Sequence, residues 1–368
     1  MRELASIQMI VDIKSIFGAD NIACAKVLGW EVVVRKNEFM IGDKVVYCEI
    51  DSILPDKPEF EFLRERKFKV KTIKLRQQIS QGICFPLSIL PIGNYKEGDD
   101  VTEILGAIKY DPQAIIENRL MNERMTINKN RMDKFLKRYK WYRSFIKPSK
   151  SPFPSFIRKT DEDRIQLFPN ICEKHKDTTF QTSEKLDGQS VTYFIMRNPI
   201  RWKRFFAPYL FGVCSRNFQL WRADNSSYWD IARRLQIKNK LTNLIRFMNK
   251  DDMSCCDHIV LQGEIIGPKI QGNKYRRREN EFYAFNLFFD DEWCDNELLK
   301  NNMELLGLNT VPLFADVKLA PTIKENMELA NGISRLHDTL REGVVLRNYA
   351  LGLSFKIVSL EFLLKNEE

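Results

Sequence analysis

The sequence predicts an α+β protein with an amino-terminal β-barrel and a larger carboxyl-terminal domain of antiparallel sheets with flanking helices. The chain has 368 residues, enough for two domains of ordinary size. Its composition, 44% hydrophobic and 11% aromatic, is typical of globular proteins with extended cores. Short apolar runs between turn residues fill the first hundred positions, whereas helical and strand patterns alternate after residue 153. We therefore expect domains at residues 1–112 and 153–368, joined by a linker at 113–152.

Short strands are the main prediction for residues 1–112. Runs such as "WEVVVR" (Trp30–Arg35) and "KVVYCEI" (44–50) are separated by turn residues. In "KFKVK" (67–71), lysines alternate with Phe68 and Val70, so a strand there would present its ammonium groups on one sheet face. A small barrel with a basic face is typical of the oligonucleotide-binding (OB) fold, and we expect it to bind nucleic acid.

The linker is predicted to be a basic helix. In "NRMDKFLKRYKWYRSFIKP", apolar residues recur at helical spacing and a proline ends the pattern. The Pro- and Ser-rich "KPSKSPFPSF" marks the boundary that follows. Between residues 129 and 159 there are eleven basic residues and one acidic residue, which accounts for the whole net charge of +9. This concentration suggests a polyanionic partner, although a solvated helix face explains the charge equally well.

Several classes of protein are disfavoured by composition. No apolar run approaches the ~20 residues of a membrane-spanning helix, and the first residues lack the apolar core of a secretory signal. We therefore expect an intracellular protein, cytoplasmic or nuclear, that is a monomer with no membrane partner. The eight cysteines are scattered without a CxxC pair and only three histidines are present, which argues against zinc sites and histidine-dependent triads.

The stretch "SEKLDGQSVTYF" (183–194) carries the most chemical information. It places Lys185, Asp187 and Gly188 between apolar residues, and a surface hairpin with two exposed charges would explain them. The alternative is a nucleophilic lysine, which must first lose its proton because the pKa of free lysine is ~10.4. A nearby cation lowers that pKa, and carboxylates around a metal ion hold a phosphate. This hypothesis requires a second lysine, an arginine and further acids.

The chain supplies these groups in order along predicted strands. A lone KxDG motif is weak evidence, and each later motif has a structural explanation of its own. Glu264 fits a surface ion pair, Glu342 a turn and Phe285 core packing. The order and the strand contexts together favour one shared cleft. The residues concerned, with their local sequences, are Lys185 in "EKLDG", Arg216 in "SRN", Glu264 in "QGE", Phe285 in "EFYAFN", Glu342 in "REG" and Lys356 in "SFK".

This ordered set resembles the covalent nucleotidyltransferase superfamily, which contains polynucleotide ligases and messenger-RNA capping enzymes. In DNA ligases and capping enzymes the OB domain follows the transferase domain, but here about a dozen residues follow Lys356. The OB-like region comes first, and with "GADNIACAKVLGWEVVV", "GDKVVYCEIDSILP" and "RKTDEDRIQ" the whole chain is similar to the fifth class of ATP-dependent RNA ligases. The resemblance implies an OB-type barrel followed by an ATP-grasp-like adenylyltransferase domain.

The resemblance also implies a reaction. In such ligases the KxDG lysine, here Lys185, attacks the α-phosphate of ATP, releases pyrophosphate and becomes lysyl-AMP. The AMP passes to an RNA 5′-phosphate, and a 3′-hydroxyl displaces it to form a phosphodiester in single-stranded ends or a nicked duplex during RNA repair. Glu184 would face the adenine edge, Phe285 would stack on the base, and Arg216 would contact the ribose or the RNA end.

The remaining roles concern charge. Lys356 would bind the α-phosphate and lower the pKa of Lys185. Some ligases carry a second lysine in this motif, but Ser354 and Val358 flank Lys356 here, and Lys365 lies nine residues further on. A divalent Mg²⁺ or Mn²⁺ ion would be held through its water molecules. The resemblance assigns three carboxylates to that ion: Asp187, Glu264 and Glu342.

Two rival functions remain open at the level of sequence. A GTP-using capping guanylyltransferase shares the motifs, but a carboxyl-terminal OB domain is not predicted here. A catalytically inactive OB-type RNA-binding protein would tolerate loss of Lys185, Glu264 and Glu342, yet all three are present.

Overall fold

The structure is a computed structural model that describes residues 3–110, 150–221, 226–249 and 256–366. The predicted linker helix and most of the basic segment lie outside these ranges. The strands are β1 Ala5–Ser15, β2 Ile22–Val27, β3 Trp30–Arg35, β4 Lys44–Cys48, β5 Ser52–Ile53, β6 Thr72–Leu75, β7 Gln78–Gln81, β8 Ile83–Pro86, β9 Ile108–Lys109, β10 Lys150–Pro152, β11 Asp163–Arg164, β12 Thr179–Lys185, β13 Gln189–Arg197, β14 Tyr209–Ser215, β15 Phe218–Leu220, β16 His258–Ile266, β17 Glu281–Phe289, β18 Glu292–Trp293, β19 Asn309–Thr310, β20 Val317–Lys318, β21 Gly343–Asn348 and β22 Leu353–Val358. The helices are α1 Thr102–Leu105, α2 Ile171–Lys174, α3 Ser227–Arg234, α4 Ile237–Met248, α5 Asn296–Leu306, α6 Ile323–Met327 and α7 Leu360–Asn366.

The amino-terminal region is a curved antiparallel sheet in the order β3-β2-β1-β4-β8. Its strands follow the predicted alternation, since Trp30, Val32 and Val34 of β3 are buried. A register shift between Ile10 and Asp12 interrupts the pairing of β1 with β2, and such bulges increase the local twist of a strand. The predicted OB-type barrel is confirmed as a half-barrel sheet around one apolar core.

The predicted basic strand at 67–71 was wrong. A 3-10 helix occupies Pro58–Arg66, and Lys67 and Phe68 then adopt left-handed φ angles of 54° and 59°. Pro58 favours a helical start because its φ is fixed, and buried Leu63 anchors the turn in the core. An extended strand begins only at β6, so the lysines of this stretch do not form one continuous row.

The carboxyl-terminal region contains two sheets. One has the order β10-β15-β14-β13-β16-β17-β18, with β19 beside β17, and the other has the order β11-β22-β21-β12-β20. The apolar sides of α3, α4 and α5 pack on the first sheet, while α2 and α6 pack on the second. This arrangement confirms the predicted α+β class.

Backbone conformation and capping set the ends of the longer helices in this region. Helices α3 and α4 are separate because Gln236 adopts a left-handed φ of 51° between them. Helix α5 is capped at both ends. The Asp295 carboxylate accepts a hydrogen bond from the Leu298 N–H (2.8 Å), and Gly307 ends the helix in the left-handed region.

Direct contacts join the barrel to the carboxyl-terminal region. The Gly29 N–H donates to the Gln166 carbonyl (2.9 Å), and a Cβ on Gly29 would lie 2.8 Å from the Gln166 Cα. Leu167 packs against the barrel core, and buried Arg164 forms a 3.0 Å ion pair with Asp51. The segment before β12 is therefore fixed against the barrel.

The described ranges also bear on membranes and cysteines. Among the helices that the structure describes, none has both the length and the apolar character needed to cross a bilayer. The cysteines within these ranges are buried and form no disulfide with one another.

Candidate active site

Lys185 is the last residue of β12, and its neighbour on β21 is Gly343. A Cβ on Gly343 would lie 2.1 Å from the Ile357 carbonyl oxygen, so only glycine fits between β12 and β22. Glu342 immediately precedes this glycine, and its Oε1 forms an ion pair with the Lys185 Nζ. Both side chains are largely buried, with 26% of Lys185 and 15% of Glu342 exposed.

The KxDG turn carries the chain from one sheet to the other. β12 belongs to the second sheet and β13 to the first, where Ser190 pairs with Glu264 of β16. A Cβ on Gly188 would lie 2.5 Å from the Ile265 carbonyl oxygen and 2.8 Å from the Glu264 Cγ. This close approach requires glycine and brings Glu264 to the same cleft as Lys185.

The cleft holds more negative than positive charge around the lysine. Burial raises the pKa of Glu264 to about 8, against the opposing effect of the Lys185 charge. Burial also raises the pKa of Glu342. Burial alone would lower the pKa of Lys185, but Glu342, Glu264 and Asp187 outweigh it and raise that pKa. This differs from the expected lowering by Lys356, because the carboxylates stabilise the lysine proton.

Asp187 is held by two residues that the motif search missed. Its Oδ2 lies 2.5 Å from the Lys274 Nζ, and its N–H donates to the buried Tyr275 hydroxyl (2.9 Å). The Lys274 ammonium also lies 4.3 Å from the centroid of the Phe362 ring, so the residue connects the KxDG turn to α7. In the sequence, Lys274 belongs to "NKYRRRE", a basic cluster that resembles a surface loop.

Asp161, which the sequence motifs also did not indicate, forms ion pairs with three basic side chains. Its Oδ1 lies 2.8 Å from the Arg216 Nη2 and 3.4 Å from the Lys356 Nζ, and its Oδ2 forms an ion pair with Lys109 of β9. The parallel pairing of Arg164 with Lys356 brings this segment to β22. Burial would raise the pKa of the Asp161 carboxyl, but the three cations hold it well below its usual range. The anion that these three cations share is the Asp161 carboxylate.

Glu184 on β12 and Phe285 on β17 are the two residues expected to contact the base. The Glu184 Oε2 accepts a hydrogen bond from the Arg335 N–H (3.0 Å), while its buried Oε1 has no hydrogen-bond partner within the described ranges. In the pairing of β17 with β16, Phe285 is the extra residue of a bulge, and bulges redirect side chains near active sites. Half-buried Phe285 packs on a cluster that includes Leu186 and Val311.

The carboxylates do not form a direct metal cage. Within the residues that the structure describes, no three His, Cys, Asp or Glu side chains are grouped closely enough to hold an ion between them. The buried Glu342 Oε2 nevertheless has no hydrogen-bond partner there, and the carboxyls of Glu264 and Glu342 both have raised pKa values. Oxygen ligands of this kind suit a hydrated hard cation that keeps its water molecules.

Comparison with known proteins identifies the family. A family model described as an OB-fold domain matches residues 4–87, and one described as RNA ligase matches residues 178–358. An RNA ligase from Naegleria gruberi, solved with pyrophosphate, is 30% identical with a TM-score of 0.77, over 99% of this chain and 98% of that chain. The chain belongs to the RNA ligase family.

Other structures of the same Naegleria gruberi RNA ligase agree with this match. A variant with ATP and manganese has a TM-score of 0.79 at 28% identity over 100% of both chains. A variant with AMP and manganese has a TM-score of 0.77 at 30% identity over 98% of both chains. No curated protein sequence matches the chain significantly. Membership of the RNA ligase family confirms the main functional prediction and favours it over the capping and inactive alternatives.

In this RNA ligase, the predicted residues fall into three groups. Lys185 and Glu342 form an ion pair at the junction of the sheets, with Glu264 and Asp187 contributing charge. Arg216 and Lys356 meet at Asp161. Glu184 precedes Lys185 on β12, and Phe285 lies on β17. Strand order and the KxDG glycine were the signals that identified these residues.

Proposed function

We propose that this RNA ligase uses ATP to join 3′-hydroxyl and 5′-phosphate RNA ends through a lysyl-AMP on Lys185. The observation that carries the proposal is the position of Lys185 at the junction of the two sheets, in contact with Glu342 and between two further carboxylates. The related Naegleria gruberi enzyme has been solved with ATP and manganese and with AMP and manganese.

The first step forms a phosphorus–nitrogen bond. The Lys185 ammonium loses a proton, its Nζ attacks the α-phosphorus of ATP, and the bond to the bridging oxygen breaks to release pyrophosphate. Because the carboxylates raise the pKa of Lys185, the amine becomes nucleophilic only when more positive charge enters the cleft. A hydrated Mg²⁺ or Mn²⁺ ion would supply that charge when bound. Its waters would be held by three carboxylates, Asp187, Glu264 and Glu342.

The base pocket favours adenine. The buried Glu184 Oε1, which has no hydrogen-bond partner among the described residues, is an acceptor that suits the exocyclic amino group of adenine better than the carbonyl oxygen of guanine. Phe285 lies half-buried at a bulge, and its ring would stack on the base. These features support ATP over GTP.

Phosphate binding is assigned to the cation cluster. Arg216 and Lys356 already meet at one anion, the Asp161 carboxylate, and a phosphate oxygen carries the same charge. In the second step the RNA 5′-phosphate attacks the AMP phosphorus and Lys185 leaves. In the third, the 3′-hydroxyl attacks the 5′-phosphate, forms the phosphodiester and releases AMP. We assign Arg216 and Lys356 to the phosphates in these steps.

We further propose that the enzyme acts as a monomer on single-stranded ends or nicked duplexes in RNA repair. Its units would be the OB domain at 1–112, the basic helical linker at 113–152 and the adenylyltransferase at 153–368. The RNA ligase family match at 178–358 lies within the third unit and the OB-fold match at 4–87 within the first.

Sealing assays test this function. The protein should join a 5′-labelled nicked RNA duplex with ATP and Mg²⁺, and Lys185→Ala should lose at least about 1,000-fold of the rate because the nucleophile is gone. Exposed Lys365→Ala is the matched control and should keep full activity. Sealing that depends on GTP, or that survives Lys185→Ala, would overturn the proposal.

A further inference from the structure

The loop between β13 and β14 exposes large aromatic rings. Its sequence, "NPIRWKRFFAP" (198–208), contains a short 3-10 helix at Arg201–Phe205. The exposed fractions are 64% for Trp202, 88% for Phe205 and 87% for Phe206. Aromatic side chains are normally well buried, and a contiguous exposed group of them marks an interaction site.

The backbone of this loop is held by one buried residue. The Asn198 Nδ2 donates to the Ala207 carbonyl (2.9 Å), and its Oδ1 accepts from the Ile200 N–H (3.1 Å). The Asn198 N–H donates to the Pro208 carbonyl (2.8 Å), and Arg204 Nε donates to the Asn198 carbonyl (2.7 Å). The hydrogen bonds of Asn198 therefore join the two ends of the loop, and the exposed rings lie on the turn between them.

Positive charge is interleaved with the rings. Arg201, Lys203 and Arg204 belong to the loop, and the sequence has no acidic residue anywhere in 188–223. The Lys203 Nζ lies 5.4 Å from the centroid of the Trp202 ring. Exposed Asp257 borders the base of the loop, where its backbone carbonyl accepts a hydrogen bond from the Arg197 N–H. The single negative charge of Asp257 does not neutralise the three cations of the loop. The charge selects a polyanionic partner.

We propose that this aromatic loop, residues 198–208, is a docking surface for a single-stranded part of the RNA substrate. Single-stranded nucleic acid is bound by aromatic rings on which bases stack, combined with basic side chains that follow the phosphates. Arginine and lysine beside the rings add cation–π attraction. The inference rests on the proposed function, because it extends the contact with the same RNA beyond the active site.

The position of the loop predicts a dependence on RNA length. Strand β13 runs from Gln189, next to the KxDG turn, to Arg197 at the base of the loop. At ~3.3 Å per residue, the strand separates the two sites by roughly 26 Å. A stacked strand advances ~3.4 Å per nucleotide, so an RNA needs about eight nucleotides to reach from the active site to the loop.

The test compares the wild type with the triple variant Trp202→Ala, Phe205→Ala, Phe206→Ala. Affinity for single-stranded, 5′-phosphorylated RNA of about 24 nucleotides should fall at least about tenfold, since each lost stacking contact weakens binding. Affinity for RNA of about six nucleotides, and AMP labelling of Lys185 without RNA, should stay unchanged. Phe247→Ala, which removes a ring that is 70% exposed on α4, is the matched control and should change neither.

Three outcomes would overturn the docking surface. One is unchanged affinity of the triple variant for the long RNA. Another is an equal loss of affinity for long and short RNA, which would show that the loop does not bind a part of the RNA remote from the active site. The third is loss of binding to phosphatidylserine vesicles while RNA binding is kept, which would assign the loop to an anionic membrane. A wild type that binds RNA through these rings but never labels Lys185 would contradict the proposed ligation and keep the docking surface.

Discussion

Single residues set the charge balance at Lys185. The carboxylates raise the pKa of Lys185, and burial raises the pKa of Glu264 to about 8. In the absence of another cation, Lys185 and Glu264 therefore keep their protons to higher pH than they would in water. Protonation of these groups should consequently influence both folding stability and the rate of AMP transfer.

Stability of the metal-free protein should fall as the pH rises from about 5 to 8. Glu264 has a pKa of about 8 in the folded state, above the ordinary glutamate value of 4.5, so the folded state binds more protons across this window. The resulting stabilisation is complete below the ordinary pKa of 4.5 and is lost as the pH approaches the folded-state pKa of about 8. Glu264→Gln should remove most of this loss of stability with pH, which corresponds to several degrees in melting temperature. Thermal scans of chelator-treated protein at different pH values measure the effect. A variant with the same pH slope as the wild type would contradict it.

Asp161 should hold the cation cluster together until phosphate arrives. Asp161→Asn removes the shared anion of Arg216, Lys356 and Lys109, which should cost about 1–3 kcal/mol of unfolding free energy. Because a bound phosphate replaces that anion, ATP should stabilise this variant more than the wild type. Urea titrations with and without ATP measure both effects. The exposed Asp163→Asn serves as the control, and an equal ATP effect in all three proteins would refute the assignment.

At the scale of elements, the KxDG turn must pass tightly between two sheets. Gly188→Ala places a Cβ 2.5 Å from the Ile265 carbonyl oxygen, so we expect a loss of about 1–3 kcal/mol and at least tenfold slower AMP labelling of Lys185. Exposed Gly93→Ala, where a Cβ would meet only the Tyr95 side chain, at 3.2 Å, is the control for an added methyl group. Denaturation curves and labelling rates measure both. Equal stability and labelling in the two variants would contradict the role of the turn.

Strand elements were predictable where apolar residues alternate, as in β3, because burial of one face imposes that spacing. The alternation at 67–71 predicted a strand that does not form. Pro58 and buried Leu63 favour a 3-10 helix over 58–66, and it is followed by residues with left-handed φ angles. The residues proposed to react were predicted from motif order. Asp161 and Lys274 were not, because their roles arise from pairing between distant segments, and nothing in their local sequence distinguishes them from surface charges.

The whole molecule combines a basic chain with an OB-type barrel that contacts the transferase region. A net charge of +9 predicts that RNA affinity depends on released counterions. Between about 50 and 200 mM salt, affinity should therefore fall at least about tenfold, as measured by fluorescence anisotropy with labelled RNA. AMP labelling without RNA should change less and serves as the control. Salt-independent RNA affinity would contradict the electrostatic account.

The central claim is that the Lys185 amine forms a covalent bond to AMP. Peptide mass spectrometry after incubation with ATP and Mg²⁺ or Mn²⁺, without RNA, tests it most directly. We predict one AMP adduct, on the peptide that contains Lys185, and its absence in Lys185→Ala. An adduct on Lys356 or Lys274, or no adduct with either metal, would contradict the account.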